Sequence, residues 1–113
     1  RGLPPDIAQV SIPGTRMHHV ILNHTRAPFD DRDVREAASL AIDRAALLQA
    51  TLDGQGEAAV NLYPASLGLP LVEAQRTDVA RAQELLDAAG WTPGADGVRE
   101  KDGQRLELLL YSY

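Results

Sequence analysis

The chain has 113 residues, with 11 Lys/Arg against 16 Asp/Glu and a net charge of −5. Acids and bases are mixed along its length, so no basic stripe exists to track phosphates, which argues against nucleic-acid binding. No apolar run approaches bilayer-spanning length, and the absence of cysteine excludes a disulfide framework and a thiolate metal site.

In chain order, Leu3-Pro4-Pro5 is a stiff, extended lead. Asp6 to Gln9 suits one helical turn, and Val10 to Ile12 a short extended piece before a Pro13-Gly14 turn. Arg16 to Asn23 is an apolar run rather than a clean alternation. It suits a strand covered on both faces, inside a mixed sheet. Pro28 fixes its own φ and pushes Ala27 toward an extended conformation. Asp30-Asp31 then offers carboxylates to the free amides of a helix start. The spacing of Val34, Ala37, Ala38 and Ala41 predicts a helix from Arg32 to Ile42 with a small-residue face. Asp43 repeats the acidic start, so Arg44 to Leu52 is a second helix, expected to bury Leu47 and Leu48 and to stop at Gly54 or Gly56.

Glu57 to Tyr63 fits either a short strand or a loop, and Pro64 to Glu73 reads as a loop. A third helix follows, capped by Asp78, with Val79, Ala82, Leu85, Leu86 and Ala89 on one stripe and Gly90 closing it in the left-handed conformation. Trp91 then buries its ring just past the helix end. After Pro93-Gly94 comes a hairpin, Gly97 to Glu100 against Arg105 to Tyr111, turning at Lys101-Asp102-Gly103-Gln104. Asp-Gly favours the positive φ that such turns require.

Two blocks carry a family resemblance. Asn23 to Arg44 reads Asn-x-x-x-Ala-Pro-Phe-Asp-Asp-x-x-Val-Arg-x-Ala-x-x-x-Ala-Ile-Asp-Arg. Asp78 to Trp91 contains Ala-x-x-Leu-Leu-x-x-Ala-Gly-Trp, followed by the Asp96 to Leu106 hairpin. In this order they resemble the extracellular solute-binding proteins, family 5, of ABC importers, which capture oligopeptides, dipeptides or nickel complexes. Leu67-Gly68-Leu69 and the Arg-Glu-Lys-Asp-Gly hairpin resemble the nickel-binding members somewhat more than the peptide binders.

The resemblance implies an α/β fold: part of the second lobe of a two-lobed periplasmic-binding-protein-like architecture, with a mixed sheet, about three helices and a C-terminal hairpin. Residues 1–14 would be a lead segment crossing between lobes, and residues 15–113 a partial second lobe. A piece of that kind would leave the strand through Leu106 to Tyr111 with an open edge, through which it would self-associate.

Three histidines, His18, His19 and His24, invite a metal reading. Neighbours on a strand point to opposite faces, however, and His24 is far from His18 along the strand, so no metal site is expected. By the resemblance, this strand runs along the ligand cleft, and with odd-numbered residues facing inward Met17, His19 and Ile21 line it. Asp30, Asp31 and Asp33 are explained as helix-start charges. No nucleophile elbow or glycine-rich phosphate loop is present, so no catalytic residue and no cofactor is expected. Arg16, Arg26 and Arg35 read as ion-pair partners of nearby acids.

The function implied is non-enzymatic. The whole protein would hold a peptide or a nickel chelate between two lobes, in the periplasm or at the cell-envelope exterior, and deliver it to an ABC permease. The alternatives are a regulatory or interaction domain sharing the fold and, less favoured, a small hydrolase.

Overall fold

The computed structural model describes residues 4, 6–8, 10, 12, 14–59, 61–70 and 76–111. Leu3 and Pro5 of the stiff lead, Gln9, Ser11 and Pro13 of the next turns, Val60, and the end of the loop at Leu71 to Glu73 lie outside the described residues.

Three aspartates start three helices. Helix α1 (Arg32–Ala41) begins where Asp31, in extended conformation, accepts the Asp33 amide on Oδ1 at 2.8 Å. Asp30 does not share that capping role; its main-chain carbonyl instead accepts from the Arg35 guanidinium at 3.1 Å. The chain breaks at Ile42, which is extended, and Asp43 restarts it as α2 (Arg44–Leu52) by accepting the Ala46 amide at 2.9 Å. Arg44 staples the break. Its guanidinium donates to the carbonyls of Ser39 at 3.0 Å and Ile42 at 3.3 Å, and to the Ser39 hydroxyl at 2.9 Å, which satisfies acceptors that the end of α1 leaves free.

Helix α3 (Val79–Ala88) is capped by Asp78, which accepts the Arg81 amide at 2.9 Å. It closes with paired bonds, Trp91 amide to Leu86 carbonyl at 2.8 Å and Gly90 amide to Asp87 carbonyl at 3.0 Å, with Gly90 at φ +88°. This doubly bonded ending requires a left-handed residue at Gly90 and swings Trp91 back onto the helix. Trp91 is buried, as its position past the helix end predicts.

The core lies between α1 and α3. Ala37, Ala82 and Leu85 form its buried centre, with Leu40 and Leu86 against it, and Val34 is buried as well. The helices run antiparallel: the end of α1 meets the start of α3 through the Asp78 amide and Leu40 carbonyl, 2.9 Å apart, and the Thr77 hydroxyl donates to the Ile42 carbonyl at 2.9 Å. Alanines at the contact let the two backbones approach closely, and burial of a leucine the size of Leu85 contributes about 1.5–3 kcal/mol. Val79 and Ala41, at the edges of their stripes, remain exposed.

Helix α2 departs from expectation. It buries no residue: Leu48 is half-buried and Leu47 is 55% exposed, because no described element packs over that face. Its end is formed by Asp53, left-handed at φ 50°, before the glycine at 54 takes the same hand.

The sheet departs as well. In place of a mixed sheet, the described residues form an antiparallel meander of β1 (Thr92–Pro93), β2 (Arg99–Lys101) and β3 (Gln104–Arg105). Pro93 sits opposite Arg99 and Lys101 opposite Gln104, joined by Asp102 and Gly103 at φ 50° and 75°, the two-residue turn that Asp-Gly favours. The strand from Arg105 toward Tyr111 stops early. The Glu107 amide turns back to the Arg105 carbonyl at 3.0 Å, which diverts the backbone from the ladder. Arg16 to Asn23 is likewise no strand. It pairs with no described segment, and Ile21 is 88% exposed. The radius of gyration, 18.3 Å, exceeds the roughly 13 Å of a compact domain of this length.

Candidate functional site

Two concavities stand out. The first, of about 540 Å³, lies between residues 15–19 and the loop after α2, and is lined by Thr15, Met17, His19, Leu62, Tyr63, Pro64 and Leu67. Thr15, Met17 and His19 lie at alternate positions in the chain and line the same concavity. The opposite wall is shaped by Asn61, whose side-chain oxygen accepts the Leu62 amide at 2.8 Å and whose side-chain nitrogen donates to the Pro70 carbonyl at 3.3 Å. A single 3-10 turn, Ala65–Leu67, follows, with the Leu67 amide donating to the Pro64 carbonyl at 3.1 Å.

Of the three residues expected on one cleft wall, Met17 and His19 come together here, and Ile21 lies outside this lining. Leu62, Tyr63, Pro64 and Leu67 did not emerge from the sequence as partners. The signal was the apolar pair Leu62-Tyr63 ahead of a proline, in a stretch whose period left strand and loop undecided.

The second concavity, of about 420 Å³, is lined by Ala27, Pro28, Asp30, Asp31, Trp91, Lys101, Asp102 and Gln104. It is polar, and the Asp31 carboxylate there is already committed to the α1 cap. The peptide bond from Ala27 to Pro28 is cis. Arg35 holds this loop against α1 by donating to the carbonyls of Phe29 at 2.6 Å and Asp30 at 3.1 Å. It therefore binds main-chain carbonyls and not the acids assigned to it above. Arg16 and Arg26 form no ion pair among the described residues.

Electrostatics concentrate on the hairpin. Arg105 pairs with Asp96 at 2.8 Å, Glu107 at 3.4 Å and Glu100 at 3.6 Å. The Arg105 hydrogen bond, and next the Val98 amide, hold the Asp96 carboxyl below its ordinary value, and Asp96 in turn pushes Arg105 up. Arg99 donates to the Asp87 carboxylate and to the Trp91 carbonyl, tying β2 to the end of α3. Among the described residues, no three His, Asp or Glu side chains are grouped to hold a metal ion, and no helix is long and apolar enough to cross a membrane.

Comparison with known proteins places this geometry. Residues 3–113 match the family model described as bacterial extracellular solute-binding proteins, family 5 Middle. Protein XP55 of Streptomyces lividans is 40% identical over 84 residues, covering 72% of this chain and 15% of that protein. The nickel-binding periplasmic protein of Escherichia coli (strain K12) is 36% identical over 95 residues, covering 79% of this chain and 18% of its own length. Further relatives are named as dipeptide-binding and glutathione-binding proteins. Among solved structures, an ABC transporter substrate-binding protein from Sinorhizobium meliloti matches with a TM-score of 0.66 at 39% identity, over 74% of this chain and 18% of that one. The chain thus spans 15% and 18% of the first two curated relatives. With a family match along nearly its whole length and the α1–α3 arrangement to go with it, the chain belongs to the bacterial extracellular solute-binding proteins of family 5.

Proposed function

We propose that the protein carrying this chain is the solute-binding component of an ABC-type importer, which captures peptides or nickel complexes outside the membrane and delivers them to the permease. The observation that carries this reading is the family match over residues 3–113, with relatives named for peptide and nickel binding. The relatives are named as binding proteins, which supports a role in holding a solute and not transforming it.

In this reading the chain is scaffold for one lobe, and Met17, His19 and Ile21 face the cleft. The concavity shared by Met17, His19 and Tyr63 supports the first two positions. Ligand contacts made only in the closed form would favour hinge closure, since a solute shifts such an equilibrium by its differential affinity for the two states. The test is calorimetry on the intact protein with a dipeptide and tripeptide panel and with chelated nickel, alongside uptake in a strain lacking the gene. Saturable binding of one class and loss of its uptake is the expected outcome. Turnover of a bound peptide, or binding of neither class, would overturn the reading.

A further inference from the structure

We infer that Asp102 is a site of spontaneous covalent ageing, where its side chain closes on the Gly103 amide and converts the Asp102–Gly103 link to an isoaspartyl bond. The chain holds three Asp-Gly pairs, Asp53-Gly54, Asp96-Gly97 and Asp102-Gly103. Glycine after aspartate leaves the nitrogen unhindered, so all three are candidates by sequence alone. The step needs no second reactant. The Gly103 nitrogen gives up its proton and bonds to the Asp102 carboxyl carbon, whose hydroxyl leaves as water, closing a five-membered imide. Water then adds to either ring carbonyl. Breaking the bond from nitrogen to the side-chain carbon restores aspartate. Breaking the bond from nitrogen to the main-chain carbonyl carbon leaves the backbone running through the Asp102 Cβ, with the α-carboxylate free.

The fold separates the three. Asp96 is held: its carboxylate accepts from Arg105 at 2.8 Å and from the Val98 amide at 3.1 Å, and the Gly97 amide donates to the Gly94 carbonyl at 3.0 Å. Asp53-Gly54 repeats the backbone of Asp102-Gly103, with φ of 50° and 75° at both pairs, so this conformation does not distinguish them. Their surroundings do. The Gly54 amide donates to the Leu48 carbonyl at 3.4 Å, and the Gln49 side-chain oxygen lies 2.9 Å from where a Gly54 Cβ would stand. At the hairpin tip, among the described residues, the Gly103 amide donates to no carbonyl and the Asp102 carboxylate has no hydrogen bond or ion pair. Nothing lies within 4 Å of a Cβ built on Gly103. Nitrogen and carboxyl are therefore free to turn toward each other, whereas each hydrogen bond that must first open slows ring closure by a factor of several. The consequence is local. An extra main-chain atom lengthens the two-residue turn between Lys101 and Gln104, and its length is what sets their pairing. Arg105 follows directly, and its pairs with Asp96 and Glu100 depend on that register.

The experiment is prolonged incubation of the intact protein in warm, mildly acidic buffer, folded and in urea. Isoaspartate is then located by peptide mapping with electron-transfer fragmentation, which tells the two linkages apart. In the folded protein Asp102 should convert roughly tenfold faster than Asp53 or Asp96, since theirs are the groups held by hydrogen bonds. In urea, where those bonds are gone, the three rates should converge to within a few-fold. Asp102→Asn keeps a residue that suits this turn and replaces water with ammonia as the leaving group, so it should convert faster still at the same position. Equal rates at the three positions in the folded protein, or a ranking that persists in urea, would overturn the proposal. So would a folded wild type that stays unmodified. An inert Asp102→Asn would show that the turn, or the rest of the protein against it, bars ring closure, and would overturn it as well.

Discussion

The main-chain amide of Asp78 donates to the carbonyl of Leu40 across 2.9 Å, while the carboxylate of the same aspartate accepts the Arg81 amide. One residue therefore caps α3 and fastens its start to the end of α1. Asp78→Ala removes only the cap, and should cost about 1 kcal/mol. Asp78→Asn retains a capping oxygen and should cost little. Asp78→Pro also removes the amide donor, leaving the Leu40 carbonyl without this partner, and should be the most damaging of the three. Urea midpoints of the three variants check the ranking.

The contact of α1 with α3 depends on small side chains. Ala37 and Ala82 are both buried beside Leu85. Ala37→Leu should overpack the contact by roughly 1–3 kcal/mol, and Leu85→Ala should leave a void costing about 2–5 kcal/mol. Ala41→Leu, on the exposed edge of α1, serves as the control and should change stability little. Denaturant unfolding followed by circular dichroism separates the three.

The helices were legible in the sequence because their ends are chemical. Asp31, Asp43 and Asp78 each accept an amide that only a helix start leaves free, and Gly90 takes the left-handed conformation that stops α3. The Asp102-Gly103 turn was legible for the same local reason. What depended on a distant partner was not. The apolar run at 16–23 predicts a strand but says nothing of a neighbour to pair with, and none of the described segments supplies one. Leu47 fits a buried helix face only if something lies opposite. Arg35 reads from the sequence as a partner for carboxylates, yet it donates to main-chain carbonyls, acceptors that no side-chain pattern encodes. Tyr63 joins Met17 and His19 across more than forty residues of sequence, a juxtaposition that neither segment shows by itself.

Two glycines of the hairpin region should respond to alanine for different reasons. At Gly94 a Cβ would sit 2.7 Å from the Val98 carbonyl oxygen and 3.1 Å from the Glu100 carboxylate, so main chain must move. At Gly103 nothing lies within 4 Å, but φ is +75°, a conformation costing an alanine roughly 1–2 kcal/mol. Gly94→Ala should therefore shift chemical shifts throughout β1 and β2, and Gly103→Ala should lower stability with changes confined to the turn. Proton–nitrogen spectra of both variants check this.

The Asp96–Arg105 pair gives stability a definite sign in pH. Because the folded carboxyl titrates below its ordinary value of 3.8, the unfolded chain binds more protons in the acidic range between the two values. The stabilisation is fully present above the ordinary value and is lost as pH falls through the lower folded one. Asp96→Asn should thus be less stable than wild type at neutral pH, with the difference shrinking in strong acid. Both groups are solvent-exposed, so added salt should shrink it as well. Denaturation midpoints across an acid series, with and without salt, test the sign.

Arg99 offers the sharpest contrast between partners. Its side chain is 14% exposed, whereas that of Asp87 is 55% exposed. The guanidinium also holds the Trp91 carbonyl, so it anchors β2 to the residue that seals the end of α3. Removing the carboxylate leaves Arg99 its carbonyl bond, and water can replace Asp87 from the exposed side. Asp87→Ala should therefore cost less than about 1 kcal/mol. Arg99→Met keeps much of the apolar stem but strips the Trp91 carbonyl of its charged donor, an interaction worth about 1.5–3 kcal/mol. Arg99→Lys keeps the charge without the planar fork and should fall between them. In the double variant the two losses should be less than additive, because Asp87 acts here only through Arg99. Equal costs for Asp87→Ala and Arg99→Met in a double-mutant cycle would show that the ion pair, and not the carbonyl, holds the hairpin on α3.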